Sequence, residues 1–241
     1  MKKTIILIIL GVVTVGCIIF GTFRHIGFWF GKDYDSKGFA IYNNYEADSD
    51  DSDGKTGRFN QTLNPFSEIK INVSIGAIRI QEGSEYHIES VYNKPFLQPR
   101  FEVVNGQLQI NQQAKKGKSG SQNCKIVITV PPRTDIKLID IESNVGDVDI
   151  RDLSGDELEV SLNVGEIELH NIDFNDIDVS NNVGEVSIRL VDDVDDYTLR
   201  LSSDIGAVTV KGNSYKHHYE SKGDTSKKIS ASTNVGAVSV R

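Results

Sequence analysis

The sequence has very few cysteines, and this limits how the fold can be stabilised. Among 241 residues only Cys17 and Cys124 are present. Cys17 lies within an apolar run near the N-terminus, so Cys124 is the only thiol beyond that run and no internal disulfide can form there. We therefore expect a fold that is held together by the size of its apolar core.

Signatures of catalysis and of nucleic-acid binding are also missing. The chain has no nucleophile elbow, phosphate-binding loop or zinc motif, and its histidines show no metal-ligand spacing. Asp and Glu outnumber Lys and Arg by 34 to 26, which disfavours a polyanionic partner such as DNA or RNA. We predict that the protein is not an enzyme, needs no cofactor and binds no nucleic acid.

What the sequence does contain is a repeated twelve-residue frame, apolar-x-apolar-x-x-x-apolar-Gly-x-apolar-x-apolar. It occurs at residues 69–80, 139–150, 158–169, 177–188, 199–210 and 229–240, with its glycine at Gly76, Gly146, Gly165, Gly184, Gly206 and Gly236. Apolar residues at a spacing of two predict a short strand on each side of the glycine. The last five glycines are 19, 19, 22 and 30 residues apart, and such a repeat predicts the stacked coils of a β-solenoid.

The turn of each frame carries its own polar pattern. Two residues before the glycine stand Asn144, Asn163, Asn182 and Asn234 in four frames, and Ser74 and Asp204 in the other two. Stacked about 4.8 Å apart, these side chains would hydrogen-bond in a ladder. The alternative is that each is an ordinary turn residue in water. Seven residues after the glycine, Leu153, Ile172 and Val191 predict a third inward contact in each coil.

The N-terminal region reads as a membrane anchor. Residues 4–23 are twenty uncharged residues rich in Ile, Leu and Val, enough for a helix of about 30 Å, the thickness of a hydrocarbon core. We predict a transmembrane helix at 4–23 that acts as a signal-anchor in the cell membrane, with residues 1–3 as a cytoplasmic tail and the ectodomain outside. Thr14-Val15-Gly16-Cys17 leaves open a second interpretation, a lipoprotein site with a lipidated Cys17.

Composition divides the rest of the chain. Residues 24–63 are predicted to be a juxtamembrane segment and flexible linker, because residues 33–63 are rich in Asp, Ser, Gly and Asn. Residues 64–138 hold the first frame and strand-like runs with a hairpin signal at Asn105-Gly106, which predicts a first coil and an antiparallel β cap. Residues 139–241 are the β-solenoid repeats. The predicted fold class is all-β, a parallel β-helix-like stack with coils of about 20 residues.

The C-terminal part of the repeat region contains a longer insert and a final frame. Residues 211–228 read as a loop or hairpin on one edge. The frame at 229–240 leaves no sequence for a cap after it, so either the cap region folds back or this C-terminal edge pairs with a second copy in a homo-oligomer or with a partner strand.

Charge is arranged in bands along the chain. Residues 139–188 contain fourteen acids against Arg151 alone, whereas residues 94–133 and 200–241 each contain seven basic residues. Equivalent positions of stacked coils lie above one another, so the acids form columns: Asp147, Glu166 and Glu185; Asp149 and Glu168; Asp140, Glu159 and Asp178. Like charges opposed in this way repel.

Two interpretations of the columns remain open. Asp147, Asp149, Glu166, Glu168 and Glu185 are candidates for a cation site, taking either Ca²⁺ or a cationic peptide or polymer along the face. The other interpretation is a solvated face that keeps the protein soluble. A polysaccharide-active enzyme would need a Lys or Arg among the acids, and the columns contain none in the sequence register.

The run Ile128-Thr129-Val130-Pro131-Pro132, followed by the repeated glycine frames, resembles the bacterial putative-adhesin family of β-strand-repeat envelope proteins. It is similar above all to the membrane-anchored members found in Lia-type envelope-stress operons of Gram-positive bacteria. The resemblance covers about residues 66–241 and implies a surface-exposed β-solenoid with an accessory or sensory role and no catalytic residues. Its motif is structural, so it bears on the fold more than on the activity.

These observations together predict a membrane-anchored extracytoplasmic binding or scaffold protein, accessory to the cell-envelope stress response. Its expected partners are a cationic peptide, an envelope polymer or an envelope protein. A surface adhesin or carbohydrate-binding module is the first alternative, and a β-helix polysaccharide-active enzyme is the second. A linker of about thirty residues would keep the ectodomain within about 100 Å of the bilayer, which favours the accessory role over adhesion across a thick wall.

Overall fold

The structure is a computed structural model that describes residues 57–113 and 122–241. No helix in these two ranges is long and apolar enough to cross a membrane. The predicted tail at 1–3, the transmembrane helix at 4–23 and all of the linker before Gly57 lie outside the described residues.

Strands alternating with tight turns make up nearly all of the described chain. They are β1 (Gly57–Thr62), β2 (Glu68–Ile75), β3 (Ala77–Glu82), β4 (His87–Tyr92), β5 (Arg100–Val104), β6 (Gln107–Gln112), β7 (Cys124–Val130), β8 (Ile136–Val145), β9 (Val148–Arg151), β10 (Ser154–Val164), β11 (Ile167–Val183), β12 (Val186–Leu190), β13 (Thr198–Ile205), β14 (Val208–Val210), β15 (Asn213–Tyr215), β16 (His218–Ser221), β17 (Lys228–Val235) and β18 (Val238–Val240). Two short 3₁₀ turns interrupt them, at Pro95–Leu97 and Val194–Asp196.

The strands form two facing sheets joined through β11, which takes part in both. Sheet I has the order β5-β6-β2-β8-β10-β11-β17-β13-β16. Sheet II has the order β1-β4-β7-β3-β9-β11-β12-β18-β14-β15. Each frame contributes one strand to each sheet, and its glycine lies between the two strands.

The apolar positions of the frame make the core. In sheet I the first position of every frame pairs with its equivalents in the row Ile69, Ile139, Leu158, Ile177, Ile229 and Leu199. All six of these side chains are at most 2 % exposed. Burial alternates along the strands as the period-two pattern requires. The prediction of an all-β, solenoid-like fold is confirmed for the described residues.

The coils do not stack in the order of the sequence. Frame 229–240 lies between frames 177–188 and 199–210, because β17 pairs with β11 on one side and with β13 on the other. The partner strand β18 is likewise placed between β12 and β14. The expectation that each coil stacks on the preceding one, with 229–240 at the end, is therefore wrong for the last two frames.

Antiparallel strands close both ends of the stack. At one end β5 pairs with β6, and β4 pairs with β7 and β1. At the other end β15 pairs with β14 and β16 pairs with β13, so the segment 211–228 adds one edge strand to each sheet, and the hairpin at this edge is formed by β14 and β15. Such caps leave only short free strand edges.

Two domain boundaries need correction. Strands β6 and β7 run parallel to β2 and β3, so they form a further coil of the stack within the region expected to be an antiparallel cap. The last part of the predicted linker, Gly57–Thr62, is strand β1 and pairs in register with β4.

Candidate functional site

The glycine column is the tightest contact between coils. Gly146, Gly165, Gly184, Gly206 and Gly236 have φ between 137° and 157°, a region that L side chains rarely adopt. A Cβ on Gly165 would lie 1.7 Å from the carbonyl oxygen of Gly146. Gly76, at one end of the column, is different: its Cβ would lie 3.1 Å from the carbonyl oxygen of Cys124. The repeated glycine is therefore required by the close approach of one coil to the next.

The asparagines beside this column form a ladder of side-chain amides. Nδ2 of Asn163 donates to Oδ1 of Asn144 at 2.7 Å, and Nδ2 of Asn182 donates to Oδ1 of Asn163 at 2.6 Å. Asn234 continues the ladder with a bond to Asn182 at 3.0 Å. The ladder thus follows the order of the coils in space, because Asn234 of frame 229–240 bonds to Asn182 of the coil beside it.

A second set of turn contacts lies inside the coils, and the sequence reasoning missed it. Three residues before the glycine, Asn181, Thr233 and Ser203 are buried and donate to the carbonyl oxygens of Gly165, Gly184 and Gly236. Gln112 takes the same role at the other end, where its amide bonds to the backbone of Ser74 and Ile75. Extending the period-two alternation by one step would have identified these inward polar positions.

The acidic columns lie on the outer faces in the predicted register. Glu159 pairs with Asp140 on one side and Asp178 on the other in sheet I, and Glu168 pairs with Asp149 in sheet II. Beside them, the backbone N–H of Glu166 donates to Oδ1 of Asp147 at 3.1 Å.

Desolvation and then carboxylate crowding raise the pKa values of three of these groups. Partial desolvation, together with neighbouring carboxylates, raises the pKa of Asp147 above its ordinary value. Desolvation followed by the charges of Asp147 and Glu185 raises the pKa of Glu166, and desolvation with Glu157 and Asp140 raises that of Glu159. The folded protein therefore holds protons on this face more tightly than an isolated carboxylate would.

The best-formed cluster of candidate cation ligands is already neutralised by arginine. Carboxylate oxygens of Asp149 and Glu168 and a ring nitrogen of His170 lie within 4.8 Å of one another. However, Oδ2 of Asp149 is 2.8 Å from Nη2 of Arg79, and Oδ1 is 2.6 Å from Nε of Arg151. The two guanidinium groups hold both oxygens of the most buried member, so this cluster is poorly suited to Ca²⁺.

Basic residues thus stand at one end of two of the three columns, contrary to the expectation that no Lys or Arg lies among them. Arg79 belongs to the frame 69–80 and occupies the position that stacks on Asp149. Lys70 of the same frame stacks on Asp140, with its Nζ 2.5 Å from Oδ2. The sequence reasoning missed both because the first frame is sixty residues away along the chain and was not added to the columns.

Two lysines hold the region where the stacking order changes. Nζ of Lys227 is 2.6 Å from Oδ1 of Asp173 and 2.6 Å from Oδ2 of Asp192, and lies over the ring of the buried Tyr197. Burial alone would lower the pKa of Lys227, but the hydrogen bonds to Asp173 and Asp192 outweigh it and raise that pKa. Burial also raises the pKa of Tyr197 to about 12. Lys211 bridges Asp193 and Asp195 in the same way.

The acidic faces are open surfaces. Two surface depressions elsewhere are lined by Arg200, Lys222 and Lys228, and by Arg133, Asp156 and Lys227, among others. None of the candidate cation residues lines either one. The geometry suits a ligand that lies along the sheet over several coils, because equivalent side chains recur at every coil.

Comparison with known proteins agrees with this architecture. Residues 133–241 match the family model described as Toastrack DUF4097. No curated protein matches the chain. The matched range begins at the end of the first coils and includes the out-of-order frames, so the Toastrack match covers the main run of the stack.

Several solved structures share the fold at low sequence identity. A "putative cell adhesion protein" from Clostridium sporogenes ATCC 15579 is 17 % identical with a TM-score of 0.59, over 77 % of this chain and 99 % of that one. A "putative adhesin" from Bacteroides fragilis NCTC 9343 is 14 % identical with a TM-score of 0.34, over 78 % and 97 %. A "putative lipid binding protein" from Parabacteroides distasonis ATCC 8503 is 12 % identical with a TM-score of 0.30, over 78 % and 98 %. The Clostridium sporogenes protein shares the overall fold of this chain, whereas the other two superpose too loosely to support a comparison.

Proposed function

We propose that this chain is a non-catalytic binding or scaffold protein, displayed outside a cell membrane by its N-terminal apolar segment and accessory to the cell-envelope stress response. Its ligand is a cationic peptide, or a cationic stretch of an envelope polymer, that lies across the acidic coils. The likeness in fold to a protein described as a cell adhesion protein supports a binding role over a catalytic one.

The observation that carries this proposal is the register of the acidic columns. Asp140, Glu159 and Asp178 present carboxylates at successive coils on one face, with Asp140 paired to Lys70 at the end of the column. Desolvation and then the neighbouring carboxylates raise the pKa of Glu159. A cation placed beside such a column relieves the repulsion between its members. Neighbouring coils lie about 4.8 Å apart and an extended peptide rises about 3.3 Å per residue, so a basic peptide of several residues spans several coils at once.

Binding of a decalysine peptide to the full chain in detergent micelles tests the proposal. We expect binding by calorimetry at low salt that weakens several-fold as ionic strength rises, because exposed charges are screened. The variant Glu159→Gln/Asp178→Asn/Glu166→Gln/Glu185→Gln should lose most of it. Glu82→Gln/Glu85→Gln/Glu102→Gln/Asp224→Asn, which removes four acids outside the band, is the matched control. Equal affinity for both variants would refute the role of the columns.

Calcium is a second candidate ligand of the same face. We expect little change in melting temperature at millimolar Ca²⁺, since Arg79 and Arg151 already compensate Asp149. A rise that disappears in Glu166→Gln/Glu185→Gln would instead establish Ca²⁺ as the ligand.

The adhesin alternative differs from the accessory role in reach. Protease added to intact cells should leave an accessory ectodomain close to the bilayer uncleaved, whereas protoplasts should show cleavage. Cleavage on intact cells would favour adhesion, and cleavage in neither would contradict display outside the membrane.

A further inference from the structure

The inserted coil, residues 228–240, is bonded along its whole length to two walls that both precede it in the chain. On one wall, the N–H groups of Gly184 and Val186 donate to the carbonyl oxygens of Val235 and Ala237, each at 2.9 Å. On the other wall, the N–H groups of Gly236 and Val238 donate to Ile205 and Ala207, each at 3.0 Å. The coil thus fills a slot whose sides are complete without it.

The slot is also specific for this kind of coil. Ile229, Ala231, Val238 and Val240 are each at most 1 % exposed and complete the core between the walls. Gly236 approaches the carbonyl oxygen of Gly184 so closely that a Cβ there would lie 1.9 Å away. Asn234 joins the amide ladder through Asn182. A segment that fits must therefore carry the frame with Asn and Gly at these positions.

The connections show how the slot is kept open. Seven residues join frames 139–150 and 158–169, and seven join 158–169 and 177–188, but ten join 177–188 and 199–210. The longer connection contains the 3₁₀ turn Val194–Asp196 and is tied to the far wall by Lys211. Residues 189–198 therefore span two coil spacings instead of one, and this length leaves room for one coil between frames 177–188 and 199–210.

The inserted coil is attached through a short exposed segment, residues 222–227. Backbone N–H groups of Asp224 and Thr225 donate to the carbonyl oxygens of Asp195 and Asp196 in the wall connection, and Thr225 Oγ1 donates to the same oxygen of Asp196 at 2.7 Å. Lys227 adds ion pairs to Asp192 of that connection and to Asp173. In an exchanged pair the incoming segment meets the same acceptors on its host. Lys222, Asp224, Thr225 and Ser226 are exposed. An exposed connection to an element that packs only on preceding coils is the arrangement from which identical molecules exchange an element.

We propose that the slot between frames 177–188 and 199–210 is an interaction site for a second copy of this chain, which enters by placing its own residues 228–240 there. Every contact of the inserted coil is reproduced in the exchanged pair, because the incoming segment has the same sequence. Only the path of residues 222–227 changes. Two molecules are thereby joined through their cores, with each stack still complete.

Single cysteines on paired strands test this exchange. Asp178 and Ser230 are direct neighbours across β11 and β17, and adjacent strands lie about 4.8 Å apart, within the range that a disulfide spans. Asp178→Cys and Ser230→Cys are made separately in the full chain with Cys17→Ser. Cys124 is left in place, because it is buried and burial raises its pKa to about 11. The two proteins are mixed in detergent micelles, warmed to just below the melting temperature, cooled and oxidised.

The matched control is the pair Ser161→Cys and Ser180→Cys, which are neighbours across β10 and β11 in coils stacked in sequence order. We expect the Asp178→Cys and Ser230→Cys mixture to give several-fold more covalent heterodimer than the control mixture. The double variant Asp178→Cys/Ser230→Cys should close within one unmixed molecule, which verifies the geometry. Heterodimer no more abundant than in the control, or failure of the double variant to close, would overturn the proposal.

Discussion

Coils 139–188 and coils 199–240 have the same frame but are assembled differently. In the first region each coil stacks on the one before it, with connections of seven residues and glycines 19 residues apart. In the second region, frame 229–240 lies between frames 177–188 and 199–210, although it follows both of them in the chain. The turn chemistry is shared, because the glycine column and the amide ladder pass through both regions.

The difference teaches that the frame determines how coils fit, whereas the connections determine which coils meet. Any frame can stack on any other, since the contact is made by a glycine, a polar turn residue and buried aliphatic side chains. A seven-residue connection reaches only the next level of the stack, and the ten-residue connection 189–198 reaches the level beyond it. Charged contacts of Lys211 and Lys227 then fix the second arrangement.

The largest effect is expected where both regions share the glycine column. Gly165→Ala and Gly236→Ala should each destabilise the protein by more than about 3 kcal/mol, because a strained φ is combined with a clash against a backbone carbonyl. Gly76→Ala is the control and should cost less, since Gly76 lacks the positive φ and its Cβ would lie 3.1 Å from the carbonyl oxygen of Cys124, a tight contact that a shift of a few tenths of an ångström relieves. Urea unfolding monitored by circular dichroism measures all three. Equal losses at Gly76 and Gly165 would show that the column is not what joins the coils.

The next effect separates the regions. Lys227→Ala leaves the carboxylates of Asp173 and Asp192 without their lysine and should cost about 1–2 kcal/mol. Lys137, which also bridges two acids but lies on the surface of the in-order region, is the matched control, and its change to Ala should cost less than about 0.5 kcal/mol. Thermal unfolding of the two variants compares them. If the losses are the same, the lysine contacts do not explain the altered stacking.

Much of the in-order region could be predicted from the sequence, and the reason is its strict period. The spacing of Ile139, Ile141, Val148 and Ile150 identifies the strands, and equal intervals place Asp147 above Glu166 without any structure. The prediction of a third inward residue succeeded at Leu153 and Ile172, which are buried. It failed at Val191, which is 64 % exposed. The longer connection 189–198 passes by the neighbouring coil position, and it buries Val194 instead.

The out-of-order region and the ends of the columns could not be predicted in the same way. Spacings of 22 and 30 residues predict only length variation in loops, whereas three extra residues after Ile188 let the chain skip one coil. The basic residues Lys70 and Arg79 belong to the first frame, which the prediction keeps apart from the acidic frames, although they stack on Asp140 and Asp149 in space. The frame alone gives equivalent positions but not which frames are neighbours, and the pairing of strands reveals that.

A smaller effect concerns the amide ladder that links the two regions. Asn182 bonds to Asn163 on one side and to Asn234 of the inserted coil on the other. Asn182→Ala should therefore cost about 1–2 kcal/mol, and Asn144→Ala, which removes the single bond at the end of the ladder, about half as much. Equilibrium unfolding in urea gives both values. A ladder without energetic value would leave the two variants equal.

The smallest effect is a gain in stability on the acidic face of the in-order coils. Glu166→Gln removes a charge that lies beside Asp147 and Glu185, and should raise the melting temperature by about 1–3 °C, the equivalent of relieving one like-charge pair. The opposite sign is expected for Asp193→Asn in the out-of-order region, since the hydrogen bond from Lys211 lowers the pKa of Asp193. Differential scanning calorimetry at neutral pH resolves shifts of this size.

The pH dependence follows from the same contrast. The folded-state pKa values of Asp147, Glu159 and Glu166 lie above their ordinary values, so the cost of ionising them is fully present at neutral pH and disappears as pH falls through those raised values. The melting temperature should therefore increase slightly as the pH is lowered from 7 toward about 5. Below that range the increase should reverse, as Asp193 and other paired carboxylates become protonated. In Glu166→Gln the initial increase should be smaller, and an unchanged increase would assign it to acids outside this column.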